Sequence, residues 1–167
     1  MIPYKFSQLQ DGDVLDLVIE GQIDEESNFP NTQLRGVKTL KLNVENVSFI
    51  NSAGVRKWIL WNRELASAHP DLAQTYVKLP TVLSRQVVSI DGFIDRSAKI
   101  ESMVIPFYCE GCEKGFKILF EKSTQLLNKS ITEIISSGEI LEVCPDCGIS
   151  AEVDGNPQHY LALMTRF

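Results

Sequence analysis

Basic charge and long apolar runs are what this sequence has least of. Sixteen lysines and arginines stand against 22 aspartates and glutamates, a formal net charge of −6. Affinity for nucleic acid rests largely on basic side chains neutralising phosphates, so this balance argues against a nucleic-acid partner. No apolar run approaches the length of about 18 residues that suggests a membrane span. The opening Met1-Ile2-Pro3-Tyr4-Lys5 lacks the basic stretch and apolar core of a secretory signal, and a cytoplasmic location is expected. The two histidines, His69 and His159, lie far from any Cys-rich run and have no acid–base partner nearby in sequence. There is no Gly-rich phosphate loop, nucleophile elbow or His-Glu metal motif, so no enzymatic activity is expected. Low-complexity tracts and internal repeats are also missing, apart from two paired cysteine knuckles.

What remains is the composition of a folded chain: 44% hydrophobic and 23% charged residues. Residues 14–23 alternate and are β-branched, as a strand requires, and Asp11-Gly12-Asp13 predicts a hairpin with residues 3–9. Leu40, Leu42 and Val44 share one face of a second strand. A helix is predicted from Ser52 to about Ser67, with Val55, Trp58, Ile59, Asn62, Leu65 and Ala66 on its inner stripe. A strand over Thr75–Leu79 and a helix opened by Pro80 and ended by Gly92 follow. This alternation predicts an α/β (α+β) fold with a small mixed sheet and helices on one side.

From about Ala98 the pattern changes. Residues 1–98 are expected to form the α/β unit and residues 99–167 a C-terminal β-rich unit. The second unit reads as strands over Ile100–Tyr108 and Phe116–Phe120, a helix over 124–136, and Glu139–Val143 leading into the second knuckle. Two further strands are predicted around Asp154-Gly155-Asn156-Pro157, a run of turn residues. With no Gly/Ser/Pro-rich linker between them, the units are expected to pack together.

All four cysteines fall in C-x-x-C pairs, Cys109-Glu110-Gly111-Cys112 and Cys144-Pro145-Asp146-Cys147. The two-residue spacer folds a tight knuckle that aims two sulfurs at one centre, and two knuckles complete the tetrahedron zinc accepts. Gly111 and Gly148 are expected to relieve the backbone where it turns. Disulfides conflict with a cytosolic location, and a thioredoxin-like pair would need one reactive C-x-x-C at a helix start. A zinc ribbon with one structural Zn2+ is therefore expected. Four thiolates and one divalent cation would add about −2 to the charge.

The stretch Val47-Ser48-Phe49-Ile50-Asn51-Ser52-Ala53-Gly54-Val55 carries a strand into a helix whose first N–H groups need a cap, from Ser52 or Asn51. Together with two other segments it resembles the STAS family (sulphate transporter and anti-sigma-factor antagonist domains) over roughly residues 5–97. Glu20-Gly21-Gln22-Ile23-Asp24 is similar to the family's strand ending in Gly-x-Leu/Ile-Asp. Phe49–Val55 is similar to its Phe-Met-Asp-Ser-Ser-Gly-Leu switch motif. Pro80–Phe93 resembles its later helix, Ser-Pro-x-Val-x-Arg-x-Phe-x-x-x-Gly-Leu/Phe. Asn51 stands where the family has Asp, Ala53 where it has a second Ser, and Pro30 interrupts the segment of the family's first helix.

In antagonist members a partner kinase binds this module, and phosphorylation of the serine matching Ser52 releases it. The resemblance thus implies a signal-transduction role, with Ser52 as a switch, Asn51 beside it on a partner surface, and a protein partner such as an anti-sigma factor or kinase. Trp61 lies on the stripe of Lys57, Glu64 and Ala68, away from the inner face. It is expected either to meet a partner or to be covered by the ribbon of the same chain. Two other roles are carried as alternatives. One is an interaction subunit of a membrane-transport or lipid-trafficking assembly; the other is a zinc-ribbon nucleic-acid-binding accessory factor, which would need a contiguous Lys/Arg patch on the ribbon.

Overall fold

The structure, a computed structural model, describes residues 2–167. Strands β1 (Lys5–Asp11) and β2 (Val14–Ile23) form an antiparallel hairpin with Asp11 opposite Val14. Gly12, at φ 59°, supplies the positive dihedral that the first position of this two-residue turn requires. Strand β3 (Thr39–Asn43) lies parallel to β2 along Val14–Val18, and β4 (Val47–Ile50) takes Gly21–Ile23 of the same strand. Helix α1 (Ser52–Ala68), β5 (Ala73–Val77), α2 (Thr81–Ser89) and β6 (Lys99–Ile100) complete a mixed sheet of order β1-β2-β3-β5-β6, with β4 paired to β2. Parallel neighbours need a crossover: the helix-free segment 24–38 supplies it from β2 to β3, α1 lies on the connection from β3 to β5, and α2 on that from β5 to β6. Leu17, Ile19, Leu40, Leu42 and Tyr76 point to the buried face, while Thr39, Lys41, Asn43, Thr75 and Val77 on the other remain half-buried.

Helix α1 reaches the core through aromatic side chains whose polar atoms are satisfied. Trp58 is fully buried, stacks on Phe93 and donates its indole N–H to the Phe93 carbonyl at 2.9 Å. Buried Asn62 accepts from the Tyr76 hydroxyl at 3.1 Å and donates to the Trp58 carbonyl at 3.0 Å. Such pairing is what allows polar atoms in a core without a desolvation penalty of about 1–3 kcal/mol each.

The second half holds β7 (Ser102–Cys109), β8 (Lys114–Glu121), α3 (Ile131–Ser137), β9 (Leu141–Val143), β10 (Ser150–Val153) and α4 (Pro157–Met164). Its four strands form an antiparallel sheet of order β8-β7-β10-β9. Two expectations are corrected here. The helix predicted over 124–136 starts only at Ile131, because Leu127 and Asn128 adopt φ of 47° and 61° in a turn that pairs Leu126 with Lys129. Ser130 and Glu133 then form a capping box, and Gly138 ends the helix in a left-handed conformation. The strand predicted beyond Asp154–Pro157 is the helix α4. Asn156 caps it by accepting from the Gln158 N–H at 3.0 Å, and Pro157 fits its first turn.

The two sheets share one buried core. Leu79, just beyond β5, donates to the Ser102 carbonyl and accepts from the Val104 N–H, both at 2.9 Å. The β6 residue Ile100 donates to the Arg166 carbonyl, and the Arg166 guanidinium donates to the carbonyls of Asp95 and Arg96 at 2.7 and 3.0 Å. No helix among the described residues is long and apolar enough to cross a membrane.

Candidate metal centre

The antiparallel pairing of β7 with β8 brings Cys109 opposite Lys114, so that Cys109–Cys112 lies in the turn between them. Pairing of β9 with β10 places Val143 opposite Ser150 and does the same for Cys144–Cys147. Because β7 and β10 are neighbours, the two turns emerge at the same end of the sheet. All four sulfurs lie within 4.8 Å of one another. Cys109 and Cys147 are 3.4 Å apart and Cys112 and Cys144 3.6 Å apart, and all four are free thiols. These cysteines could hold a metal ion, as their spacing predicts.

The second knuckle is closed by backbone bonds, from the Gly148 N–H to the Cys144 carbonyl at 3.0 Å and from the Cys144 N–H to the Ile149 carbonyl at 2.8 Å. Gly148 has φ of 73°, as its place after the pair suggests. Gly111 serves differently. Its φ is not positive, but a Cβ would stand 2.7 Å from Cδ1 of Ile149 on the facing knuckle. There the small residue lets the two turns approach.

Cys144 and Cys112 are displaced in opposite directions. Burial opposes ionisation of Cys144, yet N–H donors of Cys147 and Asp146 and the nearby thiols bring it down to about 7. Burial and the neighbouring sulfurs push Cys112 up to about 12. Close thiols resist successive ionisation, and a cation at their centre removes that repulsion. Lys114 also donates to Asp146 at 2.7 Å and ties one knuckle to the other. The sequence reading missed this pair, although Lys114 follows Cys112 closely and Asp146 lies inside the second C-x-x-C.

The other predicted residues lie elsewhere, at α1. Asn51, not Ser52, is the cap: its side-chain oxygen accepts from the Gly54 N–H at 2.8 Å. Ser52 occupies the first helical position and is exposed. The Asn51 amide also donates to the Glu25 carboxylate at 2.8 Å, and Lys57 donates to the carbonyls of Glu25 and Ser27. Gly54 is pressed onto the end of β2, where a Cβ would run into the Ile23 carbonyl oxygen.

Trp61 corrects the expectation for it. It is only 5% exposed, and its cover is neither a partner nor the ribbon. Phe29 stacks on it at 5.2 Å, and its indole N–H donates to the Pro30 carbonyl at 3.0 Å. The segment between β2 and β3 folds over this side of α1, so a helix flank that reads as solvent-facing is buried. The signal was Phe29-Pro30, an apolar pair set between polar residues, with Leu34 and Val37 following in the same loop.

No protein-family model matches the sequence, and a search of curated proteins finds no match.

Proposed function

We propose that this chain is a regulatory protein-interaction module of the cytoplasm, with a STAS-like first half switched at Ser52 and a second half built on a structural zinc ion. The observation that carries this reading is the division of labour at the start of α1. Asn51 makes the cap, so the exposed Ser52 hydroxyl can be modified without removing it. A phosphate there would lie at the positive end of the helix dipole, worth about 0.3–1 kcal/mol when exposed. It would also bring about −1.5 to −2 charges to this surface. Glu25 supports the same reading, because its carboxylate bonds to Asn51, the residue that stands where the STAS motif has Asp. The Asn51 bond holds that carboxylate below its ordinary range. A phosphoserine beside an ionised Glu25 would expel a partner surface that fits the unmodified turn.

Zinc is supported by the donor set and the spacing. Four thiolates about 2.3 Å from a tetrahedral zinc stand about 3.8 Å apart. Two of the sulfur pairs, Cys109–Cys147 at 3.4 Å and Cys112–Cys144 at 3.6 Å, are near that separation. Four protein ligands close the coordination shell, which suits a structural rather than a catalytic ion. The knuckles carry Glu110, Glu113 and Asp146, and their one lysine, Lys114, is bound to Asp146. That charge favours a protein partner over a phosphate backbone.

The test is a capture experiment from the native host with wild-type, Ser52→Asp and Ser52→Ala chains, the bound proteins being identified by mass spectrometry. A partner held by wild type and Ser52→Ala but released by Ser52→Asp is the predicted result. If both variants keep every partner at wild-type strength, Ser52 is not a switch.

A further inference from the structure

We infer that β1 is a self-association edge, through which two copies of this chain join their sheets by antiparallel β1–β1 pairing about a two-fold axis at Gln8. Strand β1 is the terminal strand of its sheet, and all seven of its residues are exposed. Its only strand partner is β2, and among the described residues no other group bonds to the backbone of residues 5–11; the Gln10 side-chain amide donates to the Gly12 and Arg35 carbonyls at 3.0 and 3.4 Å. An edge of this length is normally blunted by a bulge, a proline or a charge. Here the pairing with β2 runs without a register shift, and Phe6-Ser7-Gln8-Leu9-Gln10 contains neither proline nor charge. Phe6 and Leu9 are 41% and 70% exposed.

The phase of the backbone selects the partner. The pair Asp11 and Val14 closes a two-residue hairpin and is hydrogen-bonded, and bonded pairs alternate from there along the ladder. Asp11, Leu9, Ser7 and Lys5 therefore bond to β2, while Phe6, Gln8 and Gln10 turn their N–H and C=O groups outward. Opposing two copies at Gln8 matches all of these free groups: Gln8 meets Gln8, and Phe6 meets Gln10 in both directions. This register overlaps the whole strand, and it sets Lys5 across from Asp11 at each end. Within one chain Lys5 is 2.9 Å from Glu20, so in the dimer it would sit between two carboxylates. Shifting either way shortens the overlap and separates Lys5 from Asp11. A strand occupying seven residues a side makes a small contact, at or below the low end of about 1,200 Å² for specific interfaces. The association is accordingly weak and concentration-dependent.

Sedimentation equilibrium on the full chain, extended to millimolar concentration, should show a monomer–dimer equilibrium. Hydrogen exchange over the same range should show the Phe6, Gln8 and Gln10 amides gaining protection with concentration, while those of Ser7 and Leu9 are protected throughout. Gln8→Lys puts like charges face to face at the axis and should weaken association by about tenfold or more. Lys5→Glu should also weaken it, and Lys5→Glu with Asp11→Lys should restore it. Because the double variant leaves the clash with Glu20 in place, its rescue cannot come from repair of the hairpin. A chain that stays monomeric at millimolar concentration, a dimer whose Phe6, Gln8 and Gln10 amides remain unprotected, or a dimer indifferent to Gln8→Lys would overturn the inference.

Discussion

Two neighbouring side chains at the start of α1, Asn51 in the cap and Ser52 exposed beside it, differ in a way that stability measurements can separate. Asn51 satisfies an N–H that the helix cannot, so Asn51→Ala should cost about 0.5–2 kcal/mol in denaturant unfolding. Ser52→Ala should change stability by no more than about 0.5 kcal/mol, as an exposed substitution outside any cap. The opposite ranking would move the cap to Ser52. Trp61 is the contrasting case. It is stacked on Phe29 and bonded to Pro30, so Trp61→Ala should lose about 3–5 kcal/mol, as buried large aromatics do. Its loss would show as unfolding rather than as selective loss of a partner. A Trp61→Ala chain with unchanged stability would show that the Phe29 loop contributes nothing to the fold. The residue is misleading in sequence because helical periodicity assumes one buried face. A loop returning over the helix flank adds a second, which no spacing rule detects.

Among the elements, those with strong alternation or with caps were legible, and short apolar runs were not. The β2 pattern from Val14 to Ile23 and the stripe of α1 are long enough to fix their type. The start of α3 is different. Leu126 and Leu127 extend its apolar pattern backwards, but left-handed Leu127 and Asn128 make a turn there. The capping box of Ser130 and Glu133 was the better boundary signal. The run after Pro157 is too short to separate strand from helix by period; the Asn156 cap and the packing of Tyr160, Leu163 and Met164 decide for helix. The capping box also gives α3 a pH dependence. The Ser130 hydroxyl and N–H, at 2.6 and 2.7 Å, hold the Glu133 carboxyl below its ordinary range. A depressed carboxylate stabilises fully above its unfolded value of about 4.3, and loses that contribution as pH falls through the folded value. Acid titration by NMR should therefore fray residues 131–134 below that range. Glu133→Gln should remove most of the transition, and fraying that is identical in both proteins would exclude the box as its cause.

At the scale of the whole molecule, the cysteine cluster was the most legible feature, because two C-x-x-C pairs need only adjacent hairpins to meet. That the halves pack together was legible in the missing linker, but how they join was not, since the bonds from Leu79 and Arg166 are encoded by no local pattern. The shared core shapes the response to metal loss. Cys109 is fully buried and lies on the same face of β7 as Phe107, two residues earlier and also fully buried in the common core. Structural zinc contributes about 10–16 kcal/mol of apparent binding energy, as large as the whole stability of a typical domain at about 5–15 kcal/mol. The loss should nonetheless be local, because β9 and β10 are largely outside the core whereas Leu17, Leu40, Leu42 and Tyr76 of β2, β3 and β5 are buried in it: chelation should erase amide protection across both knuckles and β9–β10 while β2, β3 and β5 retain theirs. Loss of protection everywhere, or nowhere, would show that the metal is coupled to the fold differently. Acidification should release the ion, because the thiolates must be protonated as it leaves.

The claim on which the second half depends is that one zinc ion is held by Cys109, Cys112, Cys144 and Cys147 together. Elemental analysis of the full chain, prepared under reducing conditions as wild type and as Cys112→Ser, tests it most directly. One zinc per wild-type chain, with substoichiometric, chelator-labile metal in the variant, is the predicted result. Wild-type protein without zinc, or a Cys112→Ser chain that keeps a full equivalent and protected knuckles, would contradict it.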